Sequence, residues 1–335
     1  MKSEDFYGMS IRKLQSVEQC EQKMKDVVVR TEALTRDFQK TRAVDALSIE
    51  VARGTVFGFL GPNGSGKTTT IRMLLGLLEP TSGKAEVLGF DASTESEGIR
   101  LRSGALLEHP GIYERLSAAD NLELYGRIWQ LPASERRVRI KQLLESFGLW
   151  DRRKEIVGTW SRGMKQKLAV ARTMLHRPVL IFLDEPTAGL DPIAANDLRE
   201  ELMTLVHREG VTVFLTTHNL TEAERLCSRV AVIRQGRLLA HGHPDELRAR
   251  AGGQKVEIVG RGFSDQIVAT LRNRPEIRSA AIQNSRLLIE LQDHSGVSPL
   301  IPVLLGAGVE IEEIRKGRAT LEDVFLTLVE EEDRS

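Results

Sequence analysis

The residues with the clearest chemical meaning stand in "GFLGPNGSGKTTT", where Gly61 is followed after four residues by Gly66, Lys67 and Thr68. Glycines at this spacing let successive backbone N–H groups close around phosphate oxygens. Lys67 reaches the β- and γ-phosphates, and the Thr68 hydroxyl is placed to hold Mg²⁺. The loop runs through Gly61, Pro62, Asn63, Gly64, Ser65, Gly66, Lys67, Thr68 and Thr69. A loop of this kind is shared by kinases, GTPases and ATPases, so a second element must separate them. "VLIFLDEP" supplies one: an apolar run ending in Asp184 puts a carboxylate beside the metal, and Glu185 follows as a general base or water-positioning group for attack on the γ-phosphate. No Asn-Lys-x-Asp pattern that would read guanine follows it.

Such residues work only if a sheet presents them at one edge. The apolar runs "TVFGFLG", "VLIFL" and "VTVFLTTH" are separated by helical stretches, and that alternation predicts a parallel, helix-covered sheet whose strand ends carry the loop and Asp184. Ahead of it, "DVVVRTEAL" and "AVDALSIEV" read as a strand-rich lobe. From about 110 to 177 the chain turns helical and basic, with the Arg and Lys residues of "SERRVRIKQLLESFGLWDRRKEI" expected on solvated positions. Within that region "TWSRGMKQKLAV" begins a helix, because Met164, Leu168, Ala171 and Leu175 share one face; its unpaired first N–H groups also offer a seat for an anion. After about Gly252 the order strand, helix, strand, strand, helix, strand suggests a ferredoxin-like βαββαβ domain, closed by a last helix "LEDVFLTLVEEE". The expected organisation is a polar extension over 1–24, a nucleotide-binding domain over 25–250 and an accessory, regulatory domain over 251–335.

Bulk composition narrows the class. Hydrophobic residues at 41% and charged residues at 28% are ordinary for a globular chain, and 47 basic against 47 acidic residues give no general pull toward nucleic acid or anionic lipid. Two cysteines, Cys20 and Cys227, cannot make a disulfide framework and suit a reducing compartment. No apolar run is long enough to span a bilayer, so work at a membrane would require another chain.

From about Lys25 to Arg250 the sequence resembles the ATP-binding subunits of ABC transporters. The resemblance rests on an ordered set: the phosphate loop, a Q-loop region "ALLEHPGIY", the signature "WSRGM", the Asp184–Glu185 pair, the D-loop "AGLDP" and a histidine in "LTTHN". It implies an ABC-type fold, ATP and Mg²⁺ as ligands, and two nucleotide-binding domains packed head to tail. Ser161 and the N–H of Gly163 would then bind the γ-phosphate held by the partner's loop, although Trp160, Arg162 and Met164 depart from the common Leu-Ser-Gly-Gly-Gln. His218 corresponds to the switch histidine that bonds the γ-phosphate and orients Glu185. Asp191 corresponds to the D-loop residue that links the two sites, and Phe38 stands where an aromatic stacks on adenine; core packing is its ordinary alternative. Glu108 occupies a place where many relatives carry Gln, and it is expected to face the metal with Thr68 and Asp184.

The ending "ATLEDVFLTL" and the Met-Lys-Gln variant of the signature resemble exporters with a separately encoded transmembrane permease, including drug, polysaccharide and lipid exporters. The implied place of work is the cytoplasmic face of the membrane. Two other readings compete: an ABC-type ATPase acting on ribosomes or DNA, and a C-terminal module that senses a ligand. Ribosomal members usually carry two such domains in tandem and DNA-repair members a long coiled-coil insertion, neither of which is apparent.

Overall fold

The computed structural model describes residues 26–250, 255–283, 286–292, 297–317 and 320–333; the extension read over 1–24 lies outside them. The chain divides into two compact units between His241 and Gly242.

In the first unit, an antiparallel lobe is built from β1 (Val27–Phe38), with β2 (Thr41–Leu47) and β3 (Glu50–Ala52) paired to it. The chain then crosses to β4 (Val56–Leu60) and α1 (Lys67–Leu74), and returns to the lobe as β5 (Ser82–Val87) and β6 (Phe90–Asp91). The nucleotide-type sheet starts from β4 and adds β7 (Ser103–Leu106) after α2 (Ser96–Arg102). The helical region follows as α3 (Ala118–Ile128), α4 (Ala133–Ser146) and α5 (Arg162–Thr173). Next come β8 (Leu180–Asp184), α6 (Pro192–Glu209), β9 (Thr212–Thr217), α7 (Leu220–Leu226), β10 (Arg229–Arg234) and β11 (Arg237–Gly242).

The large sheet has the order β11-β10-β4-β9-β8-β7, and its β10–β4, β4–β9, β9–β8 and β8–β7 pairs are parallel. Every residue of β4, β8 and β9 is buried, as continuous apolar runs covered on both faces require. Phe214 anchors the centre, with the rings of Phe57, Phe59 and Phe182 at 5.4, 5.5 and 5.5 Å. Register fixes the chemistry's position: Leu60 lies opposite Thr217 and Asp184 opposite Thr216, so three strand ends meet at one edge.

The basic character of the helical region is less solvated than its sequence suggests. Arg139 is only 2% exposed, because its guanidinium forks onto Glu209 at 2.5 and 2.8 Å and reaches the Met174 carbonyl at 2.6 Å. Arg136 binds both oxygens of Glu123, which it holds down to about 2.

The second unit begins with α8 (Pro244–Arg250), so the division precedes the 250/251 boundary read from sequence; α8 packs on α11 (Leu321–Asp333) rather than extending the large sheet. Between them run β12 (Lys255–Arg261), α9 (Asp265–Arg272), β13 (Ile277–Gln283), β14 (Arg286–Leu291), α10 (Ile301–Gly306) and β15 (Glu310–Gly317). The antiparallel order β13-β14-β12-β15 is the split βαβ arrangement.

His176 joins the helical region to the sheet edge. Its ring stacks on Trp129 at 3.9 Å and its Nε2 lies 3.1 Å from the Ser103 carbonyl of β7. Burial pushes its pKa from 6.5 down to about 4. Between these values the unfolded chain takes a proton that the folded chain refuses, so this contribution is complete above about pH 6.5 and shrinks as pH falls toward 4. Urea midpoints measured across that window should decline less steeply for His176→Gln than for the wild type; parallel declines would show that the imidazole is not the group responsible.

Candidate functional site

The phosphate loop leaves β4 at Leu60 and ends as α1 begins, so the helix's unpaired N–H groups face the loop's interior. Two of its glycines are required by space. A Cβ on Gly66, which has φ 105°, would stand 2.3 Å from the Ala43 carbonyl, and one on Gly61 would stand 2.3 Å from that of Ile233. The Ser65 hydroxyl is buried and has no hydrogen-bond partner. An anion accepting from that hydroxyl and from the helix N–H groups fits this cradle.

Lys67 is 5% exposed, and its Nζ donates to the carbonyls of Gly61 at 2.8 Å and Pro62 at 3.0 Å. It also lies 3.0 Å from Oε1 of Glu185. The Thr68 hydroxyl donates to Oδ2 of Asp184 at 2.7 Å, and the Thr216 hydroxyl to Oδ1 at 2.5 Å. Glu185 has φ 48°, a left-handed conformation uncommon for a residue with a side chain. Its N–H is held by the Thr216 carbonyl at 3.1 Å and hydroxyl at 3.0 Å. Nδ1 of His218 stands 2.8 Å from Oε2 of Glu185; since an ionised carboxylate only accepts, Nδ1 carries the proton. Lys67, Glu185 and His218 thus form one chain of contacts, and Thr68, Asp184 and Thr216 another beside it.

A cavity of about 320 Å³ opens over this edge, lined by Asn63, Thr68, Glu108, Asp184, Glu185 and Arg162 among others. Glu108 reaches it but takes Arg72 as partner at 3.2 Å and is largely exposed, so the carboxylate expected to face the metal is engaged with a cation. Among the described residues no group of three His, Cys, Asp or Glu could cage a metal. The Thr68–Asp184 edge instead suits Mg²⁺, which commonly takes one or two protein oxygens and completes its shell with phosphates and water.

The remaining candidates lie outside the cavity's lining. Ser161 caps α5, accepting from the Met164 N–H at 3.3 Å, and Gly163 is buried where a Cβ would stand 3.0 Å from that of Ala194. Asp191 caps α6 through the N–H groups of Ile193 and Ala194. Phe38 is not a core residue: it is 43% exposed, with the Arg36 guanidinium 4.7 Å from its ring centre.

Residues 44–188 match the ABC transporter family, and residues 242–329 match the C-terminal domain of DrrA1-3-like ATP-binding proteins. The daunorubicin resistance ATP-binding protein DrrA3 of Streptomyces coeruleorubidus is 38% identical across 93% of this chain and 98% of its own. The chain belongs to the ABC transporter family. It is an ATP-binding, ATP-hydrolysing subunit of the DrrA type. The bacitracin transport ATP-binding protein BcrA of Bacillus licheniformis is 35% identical across 90% of this chain and 97% of its own. A solved ATP-binding subunit of an ABC transporter superposes with a TM-score of 0.60 at 31% identity, covering 67% of this chain and 92% of that one. No helix among the described residues of this ABC subunit is long and apolar enough to cross a membrane.

Sequence reading passed over Thr216 and Arg162. Thr216 carries no motif of its own, and only the β8–β9 register brings it to Asp184. Arg162 was placed at a variable position of the signature, yet its guanidinium lines the cavity and packs on Gly189. The loop glycines give a direct test of the cradle. Gly66→Ala should abolish detectable nucleotide binding, since its Cβ meets backbone. Gly64→Ala, at φ 79° with open space around it, should cost only about 1–2 kcal/mol of stability and retain binding. Equal retention by both, in a fluorescent-nucleotide titration, would remove the steric argument.

Proposed function

We propose that this subunit binds Mg²⁺–ATP in the phosphate loop and that Glu185 activates the water that attacks the γ-phosphate. The observation that carries the reading is the continuous contact from Lys67 through Glu185 to His218 at the sheet edge. Lys67 releases Glu185 when phosphate arrives, because a polyanion in the cradle competes for the same ammonium. His218, donating from Nδ1, keeps the freed carboxylate aimed into the site, and a second proton on Nε2 would let the ring donate to the γ-phosphate as well. Thr68 and Asp184 would hold Mg²⁺, which supplies charge neutralisation on the phosphate oxygens. Glu108 could join them only by leaving Arg72. Phe38, exposed beside Arg36, offers its ring to adenine.

The reading extends to a head-to-tail dimer of nucleotide-binding domains, with the unit from Gly242 onward as an accessory domain. Ser161 and Gly163 serve the partner's ATP, and Asp191 links the two sites. A separately encoded transmembrane permease receives the work at the cytoplasmic face of the membrane. The names of DrrA3 and BcrA, concerned with daunorubicin resistance and bacitracin transport, support export of an antibiotic-like compound over action on ribosomes or DNA.

Glu185→Gln should retain nucleotide binding while hydrolysis falls by about a hundredfold or more, since an amide cannot accept the water's proton. Phosphate release that continues at the wild-type rate would remove Glu185 from the chemistry. The trans assignment has its own measurement in mixed dimers of Lys67→Ala and Ser161→Arg chains. One site of the heterodimer then carries both defects and the other neither, so nucleotide should be retained at one site. Failure of an isolated heterodimer to retain nucleotide there, with both parent chains folded, would place the signature in cis.

A further inference from the structure

Glu222 is a buried carboxylate that the chemistry above leaves without a task. It lies in the first turn of α7, with its side chain 1% exposed. A charge so placed persists only if its lone pairs are engaged. Its partners come from three separate elements. The Thr187 hydroxyl lies 2.8 Å from Oε1 and 2.9 Å from Oε2, sharing one proton between them, and the Thr217 hydroxyl donates to Oε2 at 3.0 Å. Arg199 of α6 sets Nε 3.2 Å from Oε1, an ion pair without hydrogen-bond alignment.

The places of the two hydroxyls give this arrangement its meaning. Thr187 stands two residues after Glu185, in the turn leading to Asp191, and Thr217 immediately precedes His218. The His218 segment is closed on both sides: Thr217 Oγ1 accepts from the Asn219 N–H at 3.0 Å, and Asn219 Oδ1 accepts from the Glu222 N–H at 3.0 Å. Glu185, in its left-handed conformation, is fixed on its N-terminal side by Thr216. On its C-terminal side there are the Ala188 N–H, 3.0 Å from the Glu185 carbonyl, and the Thr187–Glu222 contact.

We propose that Glu222 is a positioning residue for hydrolysis: it clamps the segment leaving Glu185 to the segment entering His218, so that carboxylate and imidazole meet. Through Thr187, the same clamp ties the turn at 188–191 to His218, and a displacement of that turn reaches the histidine. The proposal rests on the reading of Glu185 and His218 given above. It differs from simple core stabilisation, because a clamp fails equally when either end is released.

The test uses the full chain with Thr187→Val, Thr217→Val and the double variant, reading kcat, KM, nucleotide affinity and thermal midpoint. Each single variant should lose about tenfold or more in kcat with KM and affinity changed by less than about twofold, and the double variant should be no slower than the slower single. Thr187→Ser, which restores the hydroxyl, should recover most of the rate. Glu222→Gln, whose amide oxygen can still accept, should remain faster than Glu222→Ala. Losses that multiply in the double variant, a lowered thermal midpoint at unchanged kcat, or a silent Thr187→Val would each overturn the clamp. Glu185→Gln in the same assay separates the two failures. If it hydrolyses ATP normally, the reading of Glu185 falls and the clamp with it; if it is inactive while the valine variants are silent or multiplicative, the clamp alone falls.

Discussion

The site turns on a buried ammonium whose three N–H groups are already matched by three acceptors. Lys67 is almost wholly enclosed, satisfied by two loop carbonyls and by Glu185. A cation in that position is stable only while paired, and the same pairing occupies the carboxylate assigned to water activation. On the proposed reading, phosphate in the cradle would compete for the ammonium, so filling the loop and freeing Glu185 would become one event. The energetic logic of that reading is an exchange of anions around a fixed charge rather than the assembly of a site from distant parts.

That exchange needs a rigid frame, and strand register provides it. Asp184 opposite Thr216 and Leu60 opposite Thr217 bring the loop, both carboxylates and the histidine to one edge without long loops in between. A slip of one residue in β8 would turn Asp184 to the other face of the sheet, a slip in β9 would do the same to Thr216, and the all-buried strands around Phe214 resist either. The left-handed backbone at Glu185 is tolerated because Thr216 binds its N–H twice over, through carbonyl and hydroxyl.

Much of this was legible in the sequence where one residue type has one physical use. The glycine spacing of the loop, the apolar runs ending at Asp184 and His218, and the alternation of strand and helix all led to the observed sheet edge. What escaped depended on pairing between elements far apart in the chain. The generic polar residues Thr216, Thr187 and Glu222 acquire roles only when β8, β9 and α7 are adjacent. Arg139 looked like a solvated charge because its partner Glu209 lies 70 residues away. Glu108 was read toward the metal because the Arg72 opposite it belongs to the helix after the phosphate loop, a pairing that spacing does not reveal.

The central claim is that Glu185 and phosphate compete for Lys67. The most direct measurement compares the affinity of wild type and Glu185→Gln for a non-hydrolysable ATP analogue, at protein concentrations where sedimentation shows a single monomeric species. Competition requires tighter binding by the amide variant, because Lys67 no longer has a charged rival acceptor. Unchanged or weaker binding, with the variant folded, would contradict it and show that Lys67 binds phosphate without giving up Glu185.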